Sequence, residues 1–167
     1  AARRTAQTEA YAREMSERVG RPIEVAPSIE ALVRQSDLII TTTPADSPIV
    51  RSEWVNPGTH LTAMGSDIPH KRELEAALLG RAKVVVDRIS QCLTQGELHH
   101  AVDAGVITAA DVHAELGEIA AGMKPGRRSE TEITIADLTG VGVLDAAVAN
   151  LVAEAAEQGG VGRWLDV

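Results

Sequence analysis

The sequence predicts an α/β fold built on a largely parallel sheet, and three observations carry that prediction. Four compact runs, "DLIITTT", "THLTAM", "KVVVDRI" and "EITIADLTG", are rich in β-branched residues with little polar alternation. Such runs mark strands buried on both faces, as in parallel sheets. Helical patterns separate the runs, and strands alternating with helices mean parallel crossovers. Aromatics make up 2% of the residues and Phe is absent, so the core must come from Val, Ile, Leu and Ala. That composition suits helices packed on a Val/Ile-rich sheet.

The elements follow in chain order. Thr5 to Val19 reads as a helix rich in Ala, Glu and Arg, terminated by Gly20 and Pro22. "PIEV" reads as a short strand. "SIEALVRQS" reads as a short helix with Ser28 as its N-cap. "DLIITTT" is the next strand, and "PADSPIVRSEWVNPG" is loop with one helical turn. "THLTAM" is entered through a Pro57-Gly58 turn. "HKRELEAALLGRA" reads as a helix ending at Gly80, and "KVVVDRI" as a strand. "GELHHAVDAGVI" reads as helix and turn. "ADVHAELGEIAAG" reads as an amphipathic helix closed by Gly122, and "MKPGRRSET" as a polar loop. The last strand, "EITIADLTG", opens into a long Ala/Val helix ended by Gly159-Gly160. No internal repeat or low-complexity tract is present.

The chain has 167 residues, 44% of them hydrophobic, enough for one domain with a core. Net charge is -8, against the basic footprint that nucleic-acid binding needs. The scarcity of aromatics also removes a base-stacking platform. The lone cysteine, Cys92, excludes an internal disulfide and a multi-Cys metal site, and a reducing cytoplasm is the natural setting. No apolar run approaches the roughly 20 residues that span a bilayer. "AARRTAQTEAYAREM" has no initiator Met and enters a helical pattern at once, like a chain that begins in the middle of something.

Ligands of parallel α/β sheets bind at the carboxyl ends of the strands. Three exits are notable there: Thr41-Thr42-Thr43-Pro44-Ala45, Ala63-Met64-Gly65-Ser66-Asp67 and Asp137-Leu138-Thr139-Gly140. Their small or hydroxylated residues would let a flat ligand approach the backbone. Asp67 fits two roles: a cap of the turn before the following helix, or a group that moves a proton or holds an ammonium. Lys71 fits a point charge for a phosphate or carboxylate, or a solvated first-turn lysine. The Thr41–Thr43 run fits plain strand as well as ligand contact.

His99 and His100 are adjacent, so on a helix they diverge by about 100°, and His113 lies on another helix. The HExxH spacing of a zinc site is absent, and solvated or capping histidines fit better. Cys92 reads as a small buried hydrophobe. "KPGRR" could catch an anion but also suits a solvated loop. No GxGxxG turn joins a strand to a helix, and "GVGV" lies at the start of the last helix. A dinucleotide's pyrophosphate normally needs such a turn with a helix N-terminus behind it.

Three segments together resemble the ornithine cyclodeaminase/μ-crystallin family: "SDLIITTTPADSPIV", "NPGTHLTAMGSDIPHKREL" and "ELGEIAAGMKPGRRSETEITIADLTGVGVLDAAVA". The resemblance covers nearly the whole chain. "RISQCLTQGELHHA" and "ADLTG" look most like the branch encoded with ectoine-utilisation genes. The resemblance implies a Rossmann domain that binds NAD or NADP, a second domain for substrate and dimerisation, and hydride exchange at an amino-acid Cα through an imine. Asp67 matches the family's catalytic aspartate, which would handle the amine proton or activate water on the imine. Thr41 and Thr43, at the end of "LIITTT", match the region of a nicotinamide-nucleotide contact. Leu61, Thr62, Ala63 and Met64 match backbone contacts to the cofactor.

Lys71 matches the lysine of the family's Pro-Gly-Lys, with His70 here in place of the Gly. Leu138 and Thr139 match the pair facing nicotinamide and substrate. Many relatives carry Ser where Leu138 stands, which puts a side-chain bond to the nicotinamide amide in doubt. The chain starts where the family's second Rossmann strand ends. Arg3 and Arg4 lie near the ribose reader there, which favours NADP, although a helix-start arginine would look the same.

The resemblance therefore implies a partial Rossmann-type, doubly wound sheet over 1–138. The helix and tail of 139–167 would pack on a substrate and dimerisation domain. It implies the C-terminal half of a cytoplasmic, dimeric oxidoreductase acting on an amino acid or cyclic imine. The alternative is a non-catalytic fragment, or a small-molecule binding protein like the crystallin member.

Overall fold

The structure, a computed structural model, describes residues 5–163. Five parallel strands form one sheet: β1 (Leu38–Thr41), β2 (His60–Ala63), β3 (Lys83–Val86), β4 (Ala114–Glu115) and β5 (Thr134–Asp137). Their spatial order is β1-β2-β5-β3-β4. The last strand thus inserts between β2 and β3. The register sets Thr41, Ala63, Asp137, Val86 and Glu115 in one row across the sheet. All five strands therefore end at the same edge of the sheet.

Alternation splits the strands into two faces. Ile39, Leu61, Ala63, Val84, Val86 and Ile135 turn to one side and are buried. They pack with Val33, Leu74, Leu78, Leu79, Leu98 and Ala101 in a single core. These partners come from α2 (Ile29–Gln35), α3 (Ala76–Leu79), α5 (Gly96–Asp103) and the segment before α3. The expectation of burial on both faces fails for β1, where Leu38 is 59% and Ile40 60% exposed. That side of β1 is therefore largely open. Further along the open face, Leu116 and Ile119 of α6 (Leu116–Ala120) lie over Thr62, Val85, Ala136 and Leu138, so helices occur on both sides of the sheet.

Several elements match the sequence reading. Helix α1 spans Thr5–Val19, and α2 starts behind Ser28, whose hydroxyl accepts from Ala31 N at 3.0 Å. A 3₁₀ turn at Ser52–Trp54 is the expected single turn, whereas α4 (Ile89–Cys92), which follows β3, is a short helix that the sequence did not announce. The last helix, α7, runs Gly142–Gly159, and Gly160 at φ 60° closes it in the left-handed conformation.

Three elements differ, each because tertiary hydrogen bonds take the backbone. "PIEV" is not a strand: Pro22 has no N–H, and Ile23 N donates to Ser16 Oγ of α1 at 2.8 Å. The helix expected from His70 to Gly80 shrinks to Ala76–Leu79. Arg72 N donates to Ala45 O, Glu73 N and Leu74 N donate to the Glu97 carboxylate, and Leu74 bridges Val50. "ADVHAELGEIAAG" holds a 3₁₀ turn, then β4, and only then a helix. Ala114 and Glu115 pair with Val85 and Val86, and His113 N donates to Val84 O, which draws this stretch onto the sheet edge. Glu115 and Glu118 then form a reciprocal cap that starts α6.

Candidate active site

The site is built where the strands end. Ladder bonds continue one residue past the row: Met64 N to Thr41 O at 3.0 Å, Leu138 N to Ala63 O at 2.9 Å, and Asp87 N to Asp137 O at 3.2 Å. Beyond that point carboxylates replace the ladder. Glu73, fully buried, accepts Thr43 N at 2.5 Å on one oxygen and Gly65 N at 2.9 Å on the other. Asp87 accepts Thr139 N at 2.9 Å and Gly140 N at 2.8 Å on one oxygen. Its other oxygen takes Arg88 N at 2.8 Å and the Cys92 thiol at 3.2 Å. Gln91 adds bonds to Thr139 Oγ1 and Gly140 O, so the turn after β5 is held from two sides.

A second tier of buried acids lies beneath. Asp137 Oδ2 accepts Leu98 N at 2.9 Å, capping α5 from outside its own segment. Burial pushes the Asp137 carboxyl up to about 7, the bonds from Leu98 and Glu97 opposing and the charge of Asp87 adding. Burial likewise pushes Glu97 up to about 8, against its bonds from Glu73 and Leu74 and with the charges of Asp137 and Glu73. The Cys92 thiol is pushed far up by burial first and by Asp137 next, so it is no nucleophile at neutral pH.

Asp67 stands at this edge with its side chain 52% exposed. No helix begins behind it: α3 starts at Ala76 with Glu75 as its N-cap, so Asp67 is not a helix cap. Its Oδ1 accepts from Lys71 Nζ at 2.7 Å. That bond from Lys71 holds the Asp67 carboxyl below the usual carboxylate range, so it is ionised at neutral pH as an ordinary aspartate is. The loop between them is closed at the Lys71 carbonyl, which accepts from Ser66 Oγ and from His100 Nε2, the latter at 2.8 Å. His100 must carry its proton on Nε2 to make that bond.

The structure brings Thr43, Met64, Asp67, Lys71, Leu138 and Thr139 to one edge. Met64 is exposed, Leu138 half-buried and Thr139 buried. The side chains of Thr41, Leu61 and Ala63 point into the core, where the Thr41 hydroxyl has no partner, so only their backbone is near the edge. Thr62 lies on the opposite face, its hydroxyl 3.2 Å from His60 Nε2. Arg3 and Arg4 lie outside the described residues.

The "KPGRR" loop sits at the other end of the strands. Arg127 bonds Gly58 O and Thr134 Oγ1, and Lys124 pairs with Glu118. His113 bonds Pro125 O at 2.8 Å. Glu73, Asp87 and Glu97 were not singled out from sequence. Asp87 had a signal, since it follows Val84-Val85-Val86 as abruptly as Asp67 follows its own strand.

Comparison with known proteins agrees with this geometry. The sequence profile of the ornithine cyclodeaminase/mu-crystallin family matches residues 1–160. Alanine dehydrogenase of Archaeoglobus fulgidus is 47% identical over 141 residues, covering 84% of this chain and 43% of that protein. The Δ1-pyrroline-2-carboxylate reductase of Thermococcus litoralis, solved with NADH and L-proline, superposes with a TM-score of 0.87 at 33% identity, over 94% of this chain and 49% of that one. The iminosuccinate reductase of Paracoccus denitrificans, solved with NAD+, gives a TM-score of 0.85 at 38% identity, over 92% of this chain and 47% of that one. The chain spans about half the length of the curated relatives it matches. On the match across 160 residues and the shared fold, this chain belongs to the ornithine cyclodeaminase/mu-crystallin family.

Proposed function

We propose that this chain is the nicotinamide-facing, C-terminal half of an oxidoreductase that exchanges a hydride with the Cα of an amino acid or cyclic imine. One observation carries the reading: Met64, the ionised Asp67, Leu138 and Thr139 leave the sheet at a single edge. Relatives with NAD, NADH or NAD+ in their solved structures support a nicotinamide cofactor. Arg3 and Arg4 favour NADP over NAD.

The described residues fit the nicotinamide end of such a cofactor and not its pyrophosphate. The N–H groups of Thr43, Gly65, Thr139 and Gly140 are all turned onto carboxylates, so none of these four is free for an anion. The cofactor, when bound, supplies the hydride. In this reading Thr41, Thr43, Leu61, Thr62, Ala63, Met64, Lys71 and Leu138 border it, and Asp67 and Thr139 meet the substrate. Asp67 takes a proton from the substrate nitrogen as the imine forms and returns it in the reverse direction. Lys71 is the partner of the Asp67 carboxylate until a cationic nitrogen takes its place.

Residues 1–138 belong to the dinucleotide-binding domain, and 139–167 reach towards a substrate and dimerisation domain in a cytoplasmic homodimer. The segment "RISQCLTQGELHHA" favours the ectoine-utilisation branch. The test is Asp67→Asn in the complete protein. Its turnover of NAD(P)H with cyclic imines falls about 100-fold or more, with cofactor affinity kept. Wild-type turnover in that variant removes Asp67 from the chemistry and refutes the reading.

A further inference from the structure

We infer that Glu73 is a positioning residue for Asp67, a role that rests on the proposed function and deepens it. Every polar group of residue 73 is engaged. Its carboxylate accepts Thr43 N from the β1 exit and Gly65 N from the β2 exit. Its N–H donates to Glu97 Oε1 at 2.7 Å, and its carbonyl accepts Ile49 N at 2.8 Å and Val50 N at 3.0 Å. Glu97 holds it from behind, and Glu73 holds the two exits in front.

Charge pairing does not explain the residue. Glu73 is fully buried, and among the described residues no cation lies within ion-pair distance of it. Burying a carboxylate is costly unless hydrogen bonds satisfy it. The two N–H groups arrive from separate strands, and each meets its own carboxylate oxygen. Gln in the same place would turn its NH₂, a donor, onto one of those N–H groups. Gly65 completes the fit, since a Cβ there would overlap the Glu73 carboxylate and the Thr43 carbonyl.

The consequence reaches Asp67 through a short loop fixed at both ends. Gly65 is tied to Glu73 at one end, and the Lys71 carbonyl is tied to Ser66 and His100 at the other. Asp67 lies between these anchors. Releasing the Glu73 anchor lets the loop move relative to Thr43 and to the β5 exit, and displacements near 1 Å cost large factors in rate.

The experiment compares Glu73→Gln, Asp67→Asn and the double variant in the complete protein, with amide hydrogen exchange on the wild type. Glu73→Gln is expected to lower kcat about 10- to 100-fold while KM for the cofactor stays within about twofold. The double variant is expected to match Asp67→Asn within about twofold, because the anchor acts through Asp67. The Thr43 and Gly65 amides are expected to exchange as slowly as those of β2, whether or not the variants fold.

Wild-type kcat in Glu73→Gln, or additive losses in the double variant, overturns the positioning role. Fast exchange at both amides overturns the anchor itself. A fully active Asp67→Asn strikes the proposed function instead, and so separates the two failures.

Discussion

Asp67 stands half-exposed at the sheet edge, its carboxylate bound to Lys71 and free of any helix N-terminus. What decides against the cap is that residues 70–75 are not helical, because Arg72, Glu73 and Leu74 spend their N–H groups on partners far along the chain. Those partners, Ala45 and Glu97, are invisible to local pattern, and for the same reason Glu73 was read as a helix residue. The buried acids lead to a prediction at this scale. Asp137 and Glu97 have folded-state values of about 7 and about 8, raised above their ordinary range.

A raised carboxyl binds its proton more tightly in the folded chain than in the unfolded one. Its contribution to stability is therefore full below the unfolded value and is lost as pH rises through the folded one. Thermal midpoints are expected to fall as pH goes from about 5 to about 8. Asp137→Asn should flatten that slope, and a slope unchanged by the substitution would exclude Asp137 as its source.

Elements whose stability is local were legible. Helix α1, Ser28 at the start of α2, and Gly160 at the end of α7 all follow from propensity and capping. Strands β1, β2, β3 and β5 were found because β-branched runs are a strong signal. β4 was missed because two residues carry no period of their own, and pairing with Val85 and Val86 creates the strand.

Helix α5 depends on a distant residue. Gln95 makes no side-chain cap, and Asp137 supplies it instead. Gly96 allows this, with φ at 84° and a would-be Cβ only 2.7 Å from Asp137 Oδ2. Gly96→Ala is expected to cost about 1–3 kcal/mol in urea denaturation, and a loss under about 0.5 kcal/mol would mean the contact relaxes freely. Ser28→Ala, a local cap with no such strain, should cost about 1 kcal/mol by the same measurement.

At the scale of the molecule, the sheet is well buried on one side and open over β1 on the other. Leu38 and Ile40 face outward on β1, and Val143, Leu144, Val148, Leu151 and Val152 of α7 are exposed. An uncovered edge strand and an apolar helix of this size favour association. The 167-residue chain is expected to self-associate in sedimentation velocity, and Leu38→Glu with Ile40→Glu should shift it towards monomer. A monodisperse wild-type monomer would contradict this. The sheet's parallel character was legible from its runs, but its order was not. That β5 inserts between β2 and β3, bringing Leu138 and Thr139 beside the Met64–Asp67 exit, is a property of the assembled sheet.

The proposed chemistry is tested most directly by following the transferred atom. The complete protein is given a cyclic imine acid and NADH or NADPH deuterated at the transferring position of nicotinamide, and the product is read by NMR. The expected result is deuterium at the Cα of the amino-acid product, lost together with turnover in Asp67→Asn. Cofactor oxidation that leaves the product Cα free of deuterium, or no oxidation with any amino-acid-derived imine, would contradict hydride exchange at this edge of the sheet.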